Sequence, residues 1–175
     1  MTGGKIQRLL MTGVTIFWML LIFGMSGADG ETSSGMSGAV CEWIADTVME
    51  DFEDYSPVRQ QEIISSMQFY VRKAAHMTEY AILAVLLPVT LAMYGVSERT
   101  LVWAGPLLCV LYACTDEFHQ TFVPARSGSP ADVLIDSAGI LAGSLVCLAA
   151  RRIRKRGRQE KTPGSAGKIS GSGSG

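Results

Sequence analysis

Three stretches of this sequence set ionisable side chains at helical spacing inside otherwise apolar runs: Arg72, Lys73, His76, Glu79 and Tyr80; Asp116, Glu117, His119 and Gln120; and Asp132 with Asp136. His76 and Glu79 are three residues apart, as are Asp116 and His119, and Asp132 and Asp136 are four apart, so each pair shares one helical face. Such groups could do three kinds of chemistry. His76, Glu79, Asp116, Glu117 and His119 suit acid–base catalysis by His–carboxylate pairs. His76, Glu79, Asp116 and His119 are also a nitrogen and oxygen donor set compatible with a divalent metal. Arg72, Lys73 and Arg126, with the hydroxyls of Ser127 and Ser129, could hold a phosphate. Tyr80, Gln120, Asp132 and Asp136 complete the candidate ligand-binding set. A structural use competes with all three, in which Arg72 or Arg126 pairs with an aspartate and fixes helix register. The charged groups outnumber what register alone requires. No nucleophile–base–acid triad can be read from the spacing of Ser127 or Ser129.

The elements that must position these groups are membrane spans. The chain has 175 residues, 48% hydrophobic and 18% charged, and its mean hydropathy of +0.25 is too apolar for an ordinary soluble domain. The expected fold is all-α: a polytopic four-helix membrane bundle with a short extracytoplasmic amphipathic helix. The spans are expected at about 9–28, 69–94, 101–122 and 131–150, each near the ~20 residues a bilayer requires. Residues 1–150 then form one membrane domain, and 151–175 a basic, then low-complexity, tail. Glu79, Asp116 and Asp136 each lie fourteen or fifteen residues from the inner end of their span, or about 21–23 Å at the helical rise. Three carboxylates at one depth are expected to share one cavity. Gly139 and Gly143 should let the fourth span approach a neighbour closely.

Charge sets the expected orientation. Lys5 and Arg8 precede the first span, and Arg151, Arg152, Arg154, Lys155, Arg156 and Arg158 follow the fourth. Both termini are therefore expected in the cytoplasm, and the segment between the first two spans outside. That segment carries nine acidic residues and only Arg59 of opposite sign. Residues 25–38, rich in Gly and Ser, read as a loop. Val40, Trp43, Ile44, Val48 and Phe52 recur at helical spacing, an apolar face for packing on the bundle or for a lid over the site. Ser56 and Pro57 read as a cap and first helical residue leading into the second span. The first span resembles a retained anchor more than a signal peptide, because its apolar run exceeds 7–15 residues. Cys41, Cys109, Cys114 and Cys147 show no Cys-x-x-Cys pattern and imply no disulfide framework.

The stretches Arg72-Lys73-Ala74-Ala75-His76-x-x-Glu79-Tyr80, Asp116-Glu117-Phe118-His119-Gln120-x-Phe122-Val123-Pro124-x-Arg126-Ser127-Gly128-Ser129 and Asp132-Val133-Leu134-Ile135-Asp136-x-x-Gly139 together resemble the VanZ-like family of bacterial integral membrane proteins, named for a protein associated with teicoplanin resistance. Ala125 stands where the family pattern has Gly. The family's serine-containing stretch after the first span is matched loosely, by Gly24-Met25-Ser26 and Ser33-Ser34. The resemblance implies a multi-pass protein of the bacterial cytoplasmic membrane with a cell-envelope role bearing on glycopeptide susceptibility. It does not define a reaction. The expected function is to bind, with processing left open, a membrane lipid or lipid-linked envelope precursor by its head group at the outer face. The alternative is a non-catalytic module acting through a protein partner or altering antibiotic access. Nothing in the sequence points to nucleic acid.

Overall fold

The computed structural model describes residues 2–28, 30–124, 126 and 128–160. Ala125, Ser127 and the tail from Thr162 lie outside the described residues. Five helices follow one another: α1 (Thr2–Ser26), α2 (Gly30–Val48), α3 (Pro57–Met93), α4 (Glu98–Gln120) and α5 (Pro130–Glu160), with a short 3-10 turn at Phe52–Asp54. All but α2 are long and apolar enough to cross a membrane. The chain is an all-α polytopic membrane protein.

Helix boundaries follow local chemistry. Ser56 accepts the amide of Arg59 ahead of Pro57 and opens α3; Ser97 accepts the amide of Thr100 and opens α4. These hydroxyls satisfy helix-end N–H groups that have no partner within the helix. Between α3 and α4, Gly95 takes φ 87°, and the amides of Gly95 and Val96 bond back to Ala92 and Leu91. That left-handed residue closes α3, and only Gly adopts it without strain. Helix α3 has 37 residues, about 55 Å at the helical rise, against about 30 Å of hydrocarbon. One end of it therefore stands outside the bilayer.

That end carries α2. The expected loop over 25–38 is helical from Gly30 onward. Packing on α3 overrides the Gly and Ser composition: the Gln68 amide donates to the Ser34 carbonyl, and the Ser37 hydroxyl is absorbed by the carbonyls of Ser33 and Ser34. The expected apolar face of α2 is also corrected. Ser37, Cys41 and Ala45 turn inward, while of the expected face Val40, Trp43 and Val48 are exposed, Ile44 is half-buried and Phe52, just past α2, is buried. Small residues permit close seating, and the larger ones are left as an outer ridge. Helix α5, which holds the fourth span, likewise runs past residue 150, so the basic residues begin as its continuation.

The bundle core joins Ile22, Tyr80, Leu83, Ala84, Cys109, Ala113 and Ile140, with Trp18, Met19 and Leu87 against it. Polar bonds tie α1 in as well. Trp18 Nε1 donates to the Glu79 carbonyl, the Tyr112 hydroxyl to the Met19 carbonyl, and Thr15 meets Thr90 at 2.7 Å. The outward faces are apolar, including Leu9, Phe17, Leu20, Leu107, Leu134 and Leu145, as a lipid solvent requires.

Helices α3 and α5 come closest together. A Cβ added at Gly139 would lie 2.1 Å from the Met77 carbonyl oxygen, and one at Gly143 would lie 2.1 Å from that of Ala81. Both obstacles are backbone, so the helices would have to separate. Gly139→Ala is therefore expected to cost about 3 kcal/mol and lower the melting temperature in detergent. Gly13→Ala, where nothing lies within 4 Å, is expected to leave it unchanged or raised. Equal melting of the two variants would remove the close approach from the account.

Candidate functional site

The polar residues gather at one end of the bundle, where the middle of α3, the end of α4, the α4–α5 loop and the start of α5 meet. A cavity of about 240 Å³ lies there, lined by Phe69, Arg72, Lys73, His76, Glu117, Gln120, Arg126, Asp132 and Asp136. A second, mostly apolar groove of about 160 Å³ runs between the end of α1, α2 and α3. The two share Arg72, His76 and Arg126 as a common wall. Glu79 lines the groove rather than the cavity.

Asp116 has no exposed surface. Its Oδ2 accepts the Ser26 hydroxyl at 2.7 Å and the Tyr80 hydroxyl at 3.1 Å. Gln120 Nε2 reaches the Ser26 hydroxyl at 3.4 Å and Glu117 Oε1 at 3.2 Å. The other Glu117 oxygen accepts the amide of Ser129 at 3.0 Å, and the Ser129 hydroxyl accepts the amide of Ala131, capping α5. Gly128 sits where a Cβ would be 2.1 Å from the Glu117 carbonyl oxygen, so the loop lies directly on α4. Lys73 forms an ion pair with Asp132, both side chains about one-quarter exposed. Arg126 donates to the Met25 carbonyl at 3.2 Å. Burial first, and the Arg72 guanidinium second, lower its pKa from the ordinary arginine value, while Asp116, Glu117 and Glu79 oppose them.

Several buried polar atoms have no hydrogen-bond partner among the described residues: Nδ1 of His76 and of His119, Oδ1 of Asp116, Nε of Arg126 and Oδ2 of Asp136. Buried polar groups are normally satisfied. His76, Arg126 and Asp136 are also among the residues that line the cavity.

The expected residues thus divide. Arg72, Lys73, His76, Glu117, Gln120, Arg126, Asp132 and Asp136 converge on the cavity. Asp116 and Tyr80 lie behind it as a buried support. His119 is turned away: it lines neither space, and its ring stacks on Phe23 with centroids 4.1 Å apart. Three residues on from Asp116, it is rotated about 60° round the helix and meets the end of α1. Ser129 caps a helix. Among the described residues no group of three or more His, Cys, Asp or Glu side chains is arranged to hold a metal ion, so the set His76, Glu79, Asp116 and His119 is not assembled. Among the described residues no hydroxyl lines the cavity beside His76. The arrangement can hold an anion, and His76 can exchange a proton with it. Ser26 was missing from the expected site set; its sequence signals were a small polar residue ending an uncharged span and the loose match of Gly24-Met25-Ser26 to the family's serine-containing stretch.

Removing the Glu117 carboxylate should release the loop. Losing a hydrogen bond to such a group costs about 1.5 kcal/mol or more. Glu117→Ala is therefore expected to speed tryptic cleavage after Arg126 about tenfold in detergent-solubilised protein, read by the mass of the fragments. An unchanged rate would mean that other contacts hold the loop.

A family model described as VanZ/LLP1 matches residues 11–151. No curated protein matches the chain, and no solved structure does.

Proposed function

The chain belongs to the VanZ/LLP1 family, and from that premise we propose that its polar cavity binds the head group of a phospholipid or lipid-linked envelope precursor at the outer face of the cytoplasmic membrane. The observation that carries this reading is the common wall of Arg72, His76 and Arg126 between a charged cavity and an apolar groove. Two guanidiniums across one small space favour an anion between them, and Arg is suited to bidentate contact with phosphate. Family membership supports a cell-envelope role that bears on glycopeptide susceptibility. The basic residues at both ends and the acidic segment between α1 and α3 support cytoplasmic termini, with the cavity on the opposite side. A C-terminal reporter that is active only in the cytoplasm should therefore be active in the fusion protein.

The central test is native mass spectrometry of the full chain purified in mild detergent. Charge-assisted bonds contribute about 1.5–3 kcal/mol each. Arg72→Ala and Arg126→Ala are each expected to reduce co-purified phosphorylated lipid about tenfold or more, with melting temperature close to wild type. Wild-type protein that carries no phosphorylated lipid, or variants that keep it, would remove this reading.

One observation favours a second reading. Met36, Val40 and Trp43 are exposed apolar residues on α2, and Trp43, unlike the other two, lines neither the groove nor the cavity. If the protein acts instead as a non-catalytic module through a partner protein, Trp43→Ser abolishes a glycopeptide-susceptibility phenotype while the arginine variants leave it intact. The lipid reading expects the reverse.

A further inference from the structure

The order of chemistry along the two connected spaces describes a ligand more narrowly than its anionic group does. The groove begins among Met25, Met36, Val40 and Val71 and is mostly apolar, with the Glu79 carboxyl in its wall beside His76. It ends on Arg72, His76 and Arg126, which also open the cavity. Beyond them, lining the cavity but not the groove, lie Lys73, Glu117, Asp132 and Asp136. Within that far group most charge is already engaged. Lys73 pairs with Asp132, and Glu117 accepts from Ser129 and Gln120. Asp136 is different. Its side chain is 1% exposed, and its Oδ2 has no partner among the described residues. A buried carboxylate oxygen is costly unless a donor or cation meets it.

We propose that the ligand is a membrane phospholipid with an amine beyond its phosphate: an acyl chain in the groove under α2, the phosphate between Arg72 and Arg126, and the ammonium against Asp136. The sequence apolar chain, anion, cation in such a lipid runs in the same order as groove, arginine pair and aspartate. The cavity's balance of charge agrees. Three cationic side chains, Arg72, Lys73 and Arg126, face three carboxylates, Glu117, Asp132 and Asp136, which suits a zwitterion better than a bare phosphate. This inference rests on the lipid reading above and narrows it to one head-group class.

The test is competition. Full-length protein in mild detergent is offered an equimolar mixture of phosphatidylethanolamine, phosphatidylglycerol and phosphatidic acid with identical acyl chains, and bound lipid is counted by native mass spectrometry. Phosphatidylethanolamine is expected to exceed each of the others about tenfold, the worth of one charge-assisted contact. Asp136→Asn, which keeps the shape and loses the charge, is expected to abolish that preference while total phospholipid binding persists. Ala75→Phe, which fills the groove from an exposed position on α3 away from the charged cavity, is expected to lower all three together. Equal binding of the three lipids by wild type, or a preference for phosphatidylglycerol or phosphatidic acid, overturns the amine while leaving the lipid reading intact. Binding of none overturns both. If Asp136→Asn does not fold, the wild-type ranking and Ala75→Phe still decide the matter, since unequal loss across the lipids in Ala75→Phe would place the chain elsewhere.

Discussion

A carboxylate without access to water must find its donors within the protein, and Oδ2 of Asp116 finds two on two other helices, while its Oδ1 has none among the described residues. Ser26 comes from the last turn of α1 and Tyr80 from the centre of α3. In hydrocarbon the alternative to such bonds is an unsatisfied charge or polar group at a cost of several kcal/mol. Three helices are thereby fixed in rotation and in depth at one point. The cavity-facing residues inherit their positions from it: His76 lies one turn from Tyr80, and Glu117 and Gln120 flank Asp116 on α4.

The remaining wall is set by sterics rather than by charge. Gly139 and Gly143 let α5 rest against the backbone of α3, and this draws Asp132 to Lys73 and Asp136 into the same space. Gly128 does the same for the loop, laying it on α4 so that Glu117 can hold the Ser129 amide and Arg126 can reach Met25. Polar bonding at one point and backbone contact along one seam divide the work. The first decides which faces meet and the second decides how near they come. The large apolar side chains are left mostly on the outside, as a protein dissolved in lipid gains little by hiding them from it.

The four spans, the cap at Ser56 and the convergence of α3, α4 and α5 were legible because each depends on local sequence pattern or on a charge that hydrocarbon penalises. Equal depth was enough to bring Asp116 and Asp136 to the same end of the bundle. Depth does not report rotation, however, and His119 therefore passed for a partner of Asp116 although it turns to Phe23. The helical stretch of α2 before Val40 was hidden because its composition favours a loop, and only its docking on Gln68 makes it a helix. Ser26 was hidden for a different reason. A hydroxyl at the end of an apolar run has meaning only through a residue on another helix, and nothing in its neighbourhood names that residue.

The separation of that pair has a consequence for synthesis. Ser26 and Asp116 are 90 residues apart in the chain, and at about 5–20 residues per second the second emerges some 5–20 seconds after the first. For that interval α1 resides in the membrane with its Ser26 end unlocked, and α3 joins it before the carboxylate that will bind them both exists. Translation order thus makes α4 the keystone that arrives late. A ribosome stalled between the two residues would leave helices that have inserted but have not yet acquired a common register, the form that membrane quality-control proteases are placed to remove.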